Sequence, residues 1–252
     1  MFLFFVKFQK SIKKNIFEFN IFQLQTSNFQ LPMSSHHIVR DDQEPALIIA
    51  NGLECNSELL GQLLEWSPYV IVLDSAIERV IELGIKVDVL LGDFDRDFDA
   101  QFYKANHFPI EIVHTPDQNK TDLQKAFDFL IEKGHKAVNV VWATGKRADH
   151  TLNNLSTLAS YRNDLKIVLF DDHSKVFLLS NSFKKWYPKD AIISLIPLGK
   201  VEGITTENLF YPLQNGSLEL GYRTGSSNHV SEDGIVTITH EKGNLLLIES
   251  FE

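Results

Sequence analysis

The chain has 252 residues, 44% hydrophobic and 23% charged, an ordinary globular composition with room for one large domain or two modest ones. Its net charge of −9, with no basic stripe, argues against nucleic acid as the main partner. The single cysteine, Cys55, excludes an intrachain disulfide framework and fits a reducing cytoplasm.

Residues 1–32 differ from the rest, being rich in Phe, Asn, Gln and Lys. The uncharged run Met1 to Val6 is too short for a membrane span or a signal-peptide core. With Lys7, Lys10, Lys13 and Lys14 it has the makings of a weak interfacial segment. The reading adopted is that residues 1–32 are a disordered or spurious extension and Met33 the start, so no membrane partner is expected.

From Ala46 onward, strand and helix patterns alternate. Leu47 to Ala50 reads as a strand, Ser57 to Trp66 as a helix through Leu59, Leu60, Leu63 and Leu64, and Tyr69 to Leu73 as a strand. Ile77 to Leu83 is a predicted helix closed by Gly84, and Val87 to Leu91 a strand. Phe98 to Asn106 is a short helix, Ile110 to Val113 a strand, and Asp122 to Lys133 a helix closed by Gly134. Ala137 to Ala143 is a strand, Asp149 to Tyr161 a helix and Lys166 to Phe170 a strand. Apolar strands separated by helices indicate a Rossmann-like, mostly parallel sheet with helices on both faces.

After Asp172 only short strand patterns remain: Val176 to Leu179, Ala191 to Ile196, Leu218 to Leu220, Gly234 to Thr239 and Leu245 to Ile248. Turn signals such as Pro188-Lys189-Asp190 and Gln214-Asn215-Gly216 divide them. This tail reads as a small antiparallel β-sandwich that needs a surface to pack on. The organisation expected is therefore an α/β domain over 33–172 and a β-sandwich over 173–252.

The chemistry gathers at the strand ends. Asp74 follows the second strand, Gly92-Asp93-Phe94-Asp95 the third, and Asp117-Gln118-Asn119-Lys120-Thr121-Asp122 the fourth. Ligands of open α/β sheets bind outside these carboxyl ends. Carboxylates brought together there repel unless a cation or proton joins them, and oxygen-only ligands suit Mg²⁺ shared with substrate phosphates. Thr121-Asp122-Leu123-Gln124 also fits a capping box, and Lys125 points either to solvent or back at phosphate. Gly145-Lys146-Arg147-Ala148-Asp149-His150 joins a buried strand to a helix. Free backbone N–H groups and an arginine fork favour phosphate at such a junction. Nine histidines without metal spacing argue against zinc. The inference from residues alone is a Mg-nucleotide site.

Together these motifs, with Leu209-Phe210-Tyr211-Pro212-Leu213 and Gly225-Ser226-Ser227-Asn228 in the second half, resemble the thiamine pyrophosphokinase family over residues 45–250. The resemblance implies transfer of a diphosphate from ATP to the hydroxyl of thiamine, giving thiamine diphosphate and AMP. It implies a homodimer with its sites at the subunit interface, and the lone cysteine leads to a cytoplasmic location being expected. Asp93, Asp95 and Asp122 would be catalytic and hold Mg²⁺ with the polyphosphate. Asp74, Gln118, Thr121, Lys125, Arg147, Asp149 and His150 would bind ATP. Tyr211 would stack on the thiamine pyrimidine, with Ser227 and Asn228 hydrogen-bonding that ring. The chain departs from the family pattern at Ser75 and Ala76, where glycines are usual, at Arg96 in place of serine, and at Lys146 in place of glycine.

Either Asp95 or Asp122 is the expected acceptor of the hydroxyl proton. Two other readings are a same-fold diphosphotransferase or nucleotide hydrolase with another substrate, and a thiamine or nucleotide sensor without turnover.

Overall fold

A computed structural model describes residues 45–94, 99–107 and 109–251. The extension 1–32, Met33 and two motif positions, Asp95 and Arg96, lie outside these residues.

Among the described residues the first half builds a parallel sheet. Its strands are β1 (Ala46–Ile49), β2 (Val70–Leu73), β3 (Val89–Gly92), β4 (Glu111–His114), β5 (Ala137–Val141) and β6 (Lys166–Phe170). They lie side by side in the order β4-β3-β2-β1-β5-β6, every neighbouring pair parallel. The chain adds strands on one side of β1, then crosses to the other side for β5. The gap between the carboxyl ends of β1 and β5 is therefore the switch point where such sheets leave a crevice.

Both faces are covered, which is why β1, β2 and β3 are buried at every position. The helices are α1 (Ser57–Leu64), α2 (Ile77–Glu82), α3 (Ala100–Asn106), α4 (Asp122–Glu132) and α5 (Ala148–Thr157). Leu123, Ala126, Phe127 and Leu130 of α4 pack with Ile48, Ile71 and Val140 on one face. Leu60 of α1 and Ile77 and Val80 of α2 pack with Leu47, Ile49 and Val72 on the other. Phe127 and Leu130 are fully buried, and each contributes about 1.5–3 kcal/mol relative to exposure. The helix expected to run to Tyr161 ends at Thr157 and tightens into a 3-10 turn, Leu158–Tyr161. The one expected from Phe98 begins at Ala100, capped by the Asp99 carboxylate on the Phe102 amide.

The second half holds β7 (Ser174–Leu178), β8 (Ser182–Tyr187), β9 (Ile192–Glu207), β10 (Gly216–Glu219), β11 (Gly225–His229), β12 (Gly234–Thr239) and β13 (Lys242–Ser250). Antiparallel pairing of β7 with β6 carries the ladder onward through β13, β9, β12 and β8, with β10 and β11 on β9. Three features differ from the sequence expectation. Ser226-Ser227-Asn228, outside every strand expected from the sequence, lies in β11. β9 runs on from the expected Ala191–Ile196 segment to Glu207, through Pro197, Gly199 and Gly203. It does so because both glycines adopt positive φ (81° and 70°) and the ladder to β13 shifts register between Lys242 and Asn244, turning apparent stops into bends.

The third feature is β8, hidden in the sequence because a lysine occupies an inward position. Lys185 Nζ donates to both carboxylate oxygens of Glu249, at 2.7 and 2.9 Å, and the Tyr187 hydroxyl donates to the same carboxylate at 2.5 Å.

Candidate active site

The acidic rim is built from the ends of β2 and β3 and the start of α4. Asp74 opens a 3-10 turn, Asp74–Ala76, that carries Ser75 and the fully buried Ala76 in place of the family's glycines. The Asp74 Oδ1 accepts from the Ser75 amide, and its Oδ2 from the Phe94 amide at 3.3 Å. Gly92 permits this approach: a Cβ there would fall 2.5 Å from Asp74 Cβ. Asp93 receives a hydrogen bond on Oδ2 from Gln118 Nε2, at 3.1 Å. Its carbonyl oxygen is 3.2 Å from His114 Nε2, and the His114 ring stacks on Phe94 with centroids 6.0 Å apart. His114 was not singled out in the sequence, since a histidine at a strand end carries no spacing signal.

Asp122 lies in the first turn of α4, where its Oδ1 accepts from Lys125 Nζ at 3.1 Å. Lys125 is buried, so it does not point to solvent, and its ammonium faces Asp122. Burial pushes the Asp122 carboxyl above the usual range, the Lys125 bond opposes that, and the charges of Asp74 and Asp93 add to it. Asp74, Asp93 and Asp122 thus act on one another across one rim. The set is all oxygen, which fits a hard divalent cation. Among the described residues no three His, Cys, Asp or Glu side chains are grouped so as to hold a metal ion by themselves. Mg²⁺ in general takes one or two protein carboxylates and the rest of its ligands from phosphate and water.

The loop before α4 is locally determined. Asp117 Oδ1 accepts from the backbone and side-chain nitrogens of Asn119, both at 2.9 Å, which hold its carboxyl below the usual range. Thr121 caps α4 in the expected capping box with Gln124. Lys120 turns away from the rim onto Asp128, at 2.6 Å, and Asp128 also accepts from the Tyr161 hydroxyl at 3.0 Å.

At the switch point, Gly145 and Lys146 both take positive φ (79° and 28°), so Lys146 adopts the backbone that glycine usually supplies. Arg147 begins α5 and forks onto Asp149, with Nε to Oδ1 at 3.1 Å and Nη2 to Oδ2 at 2.5 Å. This bond holds the Asp149 carboxyl at about 2. Both side chains are exposed, as is His150. Asn154 Nδ2 donates to the Ala143 carbonyl at 2.8 Å, tying α5 to the exit of β5.

The residues expected at thiamine lie on the antiparallel part. Tyr211 and Phe210 are 63% and 56% exposed, an unusual outlay of aromatic surface. The Phe210 ring stacks on His229 at 4.5 Å and meets Tyr211 edge-on at 4.9 Å. Asn228 is buried, and its amide is engaged by the backbone: Oδ1 accepts from Tyr211 N at 3.0 Å, and Nδ2 donates to the Tyr211 carbonyl at 2.9 Å. Ser227 is exposed at φ 53°, its amide donating to Ser194 Oγ at 2.9 Å.

An acid-rimmed, doubly wound sheet with its switch point between β1 and β5 defines an α/β protein of the class whose ligand crevice lies at the carboxyl ends of the strands. Two family models match: the thiamin pyrophosphokinase catalytic domain over residues 60–169, and the thiamin pyrophosphokinase vitamin B1 binding domain over residues 180–245. The chain belongs to the thiamin pyrophosphokinase family. Thiamine pyrophosphokinase 1 of Oryza sativa subsp. japonica is 30% identical over 170 residues, which span 62% of this chain and 63% of that protein. The thiamine pyrophosphokinase of Bacillus subtilis is 28% identical over 182 residues, 70% of this chain and 85% of that protein. Its crystal structure matches with a TM-score of 0.69 at 24% identity, covering 83% of this chain and all of that one. Yeast thiamin pyrophosphokinase matches with 0.70 at 16% identity, covering 85% and 88%.

Proposed function

We propose that this chain transfers a diphosphate group from ATP to the hydroxyl of thiamine, releasing thiamine diphosphate and AMP. The observation that carries the reading is the rim of Asp74, Asp93 and Asp122 with Gln118 and Lys125, in a chain matched by both domain models of the family. The thiamine hydroxyl oxygen bonds to the β-phosphorus, and the bond from that phosphorus to the oxygen shared with the α-phosphate breaks. AMP leaves with the oxygen, and the hydroxyl proton passes to a carboxylate. Asp122, whose carboxyl burial raises above the usual range, suits that role. Asp95, outside the described residues, is the other candidate.

Lys125 and Arg147 supply cationic donors to the polyphosphate, and Gln118 and Thr121 orient it, so positioning and charge provide most of the acceleration. Asp93 and Asp122, with Asp95, would hold Mg²⁺, which when bound neutralises phosphate charge. The rim sits at the ends of β2 and β3, whereas Tyr211 is held against Asn228 of β11, and β1, β5, β6, β7, β13 and β9 lie between them along the ladder. That separation along the ladder supports a homodimer whose sites pair one copy's rim with the other copy's aromatic face. The domain bounds 33–172 and 173–252 and a cytoplasmic location belong to the same proposal. Among the described residues no helix is long and apolar enough to cross a membrane.

The test is AMP release by purified protein with MgATP, with and without thiamine. Thiamine-dependent AMP with matching thiamine diphosphate is expected. Release without thiamine identifies a hydrolase, and binding of both substrates without AMP identifies a sensor.

A further inference from the structure

Arg79, on α2, takes no part in the chemistry above, yet it is among the most heavily engaged cations of the fold. Its guanidinium carbon lies 4.6 Å from the centre of the Trp142 ring. Its Nη2 donates to Asn51 Oδ1 at 2.6 Å, and its Nη1 donates to Glu54 Oε1 at 2.8 Å and to the Gly52 carbonyl at 3.4 Å. These partners lie on the two sides of the switch point. Asn51 to Glu54 form the turn leaving β1, and Trp142, buried and at φ 57°, follows β5.

The two segments are zipped directly. The Leu53 amide donates to the Thr144 carbonyl at 2.8 Å, the Gly52 amide to the Trp142 carbonyl, and Lys146 Nζ to the Asn51 carbonyl at 3.2 Å. A Cβ on Gly52 would fall 2.3 Å from the carbonyl oxygens of both Trp142 and Thr144, so this is backbone packed on backbone. No crossover bridges the gap at a switch point, so these backbone bonds and the side chains that reinforce them hold the two turns together. A planar guanidinium can stack and donate in several directions at once, which an ammonium cannot do.

We infer that Arg79 is a positioning residue for the nucleotide crevice: it clamps the Asn51–Glu54 turn onto Trp142, and through that turn holds the Gly145-Lys146-Arg147 segment in place at the start of α5. The inference rests on the proposed function only in naming ATP as the ligand that feels the clamp.

The test is Arg79→Met, which keeps an unbranched aliphatic side chain and removes both the guanidinium over Trp142 and every donor. Amide hydrogen exchange across 143–151 is expected to speed up roughly tenfold or more while α4 exchanges as before. The KM for ATP is expected to rise on the order of 10- to 100-fold with the KM for thiamine unchanged. Unaltered exchange in 143–151, or an unaltered KM for ATP, overturns the inference. Should Arg79→Met fail to fold, Asn51→Ala, which removes one acceptor and leaves the stacked pair intact, must move both readouts in the same direction or the inference falls. If the unaltered protein shows no thiamine-dependent AMP release, the proposed function fails, and the exchange comparison still decides whether Arg79 is the clamp.

Discussion

Gln118 Nε2 donates to Asp93 Oδ2 over 3.1 Å, so the loop leaving β4 orients the acid that follows β3. Asp93→Asn removes the charge while keeping the shape. It is expected to lower kcat on the order of 10²–10³-fold with the thermal midpoint preserved. Gln118→Ala leaves the charge and loses its orientation, so the expected loss in kcat/KM is about 10- to 100-fold. Steady-state kinetics beside thermal melts check both. Near-normal turnover of Asp93→Asn removes Asp93 from the site.

Gly92 and Asp74 occupy one space, a Cβ at 92 lying 2.5 Å from Asp74 Cβ. Gly92→Ala must push Asp74 off the rim or distort β3, at a cost of about 1–3 kcal/mol. Activity should fall by more than the stability loss accounts for, because the Asp74 bond to the Phe94 amide breaks as well. Denaturant titration and kinetics on the same sample separate the two effects.

Lys125→Met leaves Asp122 half-buried without its ion pair. Burial already holds this carboxyl above its ordinary value of 3.8, and the variant raises it further. The folded state binds this proton more tightly than the unfolded chain. The electrostatic cost of Asp122 to stability is therefore present above the folded pKa and is relieved as pH falls toward 3.8. The ionised form is the one needed as a base, so the acid limb of kcat/KM against pH should move to higher pH. A limb that stays put shows that Asp122 does not control the rate.

If one copy's rim works with the other's aromatic face, Asp93→Asn and Tyr211→Ala are each inactive as pure samples. Mixed after unfolding and refolding together, they should regain activity, because some dimers then carry one intact site. A mixture no more active than its components rules out the shared site.

Much of the first half was legible because local rules decide it. Runs such as Val70–Leu73 are apolar at successive positions, and only a strand covered on both faces is buried that way. Thr121 and Gln124 form a capping box because their spacing alone places each side chain on the other's backbone. The second half was less legible, since β8 hides its alternation behind Lys185 and that lysine's partner, Glu249, lies on β13.

By itself, then, the sequence determined where strands and helices alternate, which acids follow which strands, and how α4 begins, all matters of spacing within a few residues. Tertiary structure decided that Lys125 is buried while Lys120 stays exposed, that the Asn228 amide is taken up by the Tyr211 backbone, and that Arg79 reaches Asn51 and Trp142. A side chain's direction follows from burial and from the nearest opposite charge or acceptor, and those are set by strand order in the folded sheet, which local spacing does not encode.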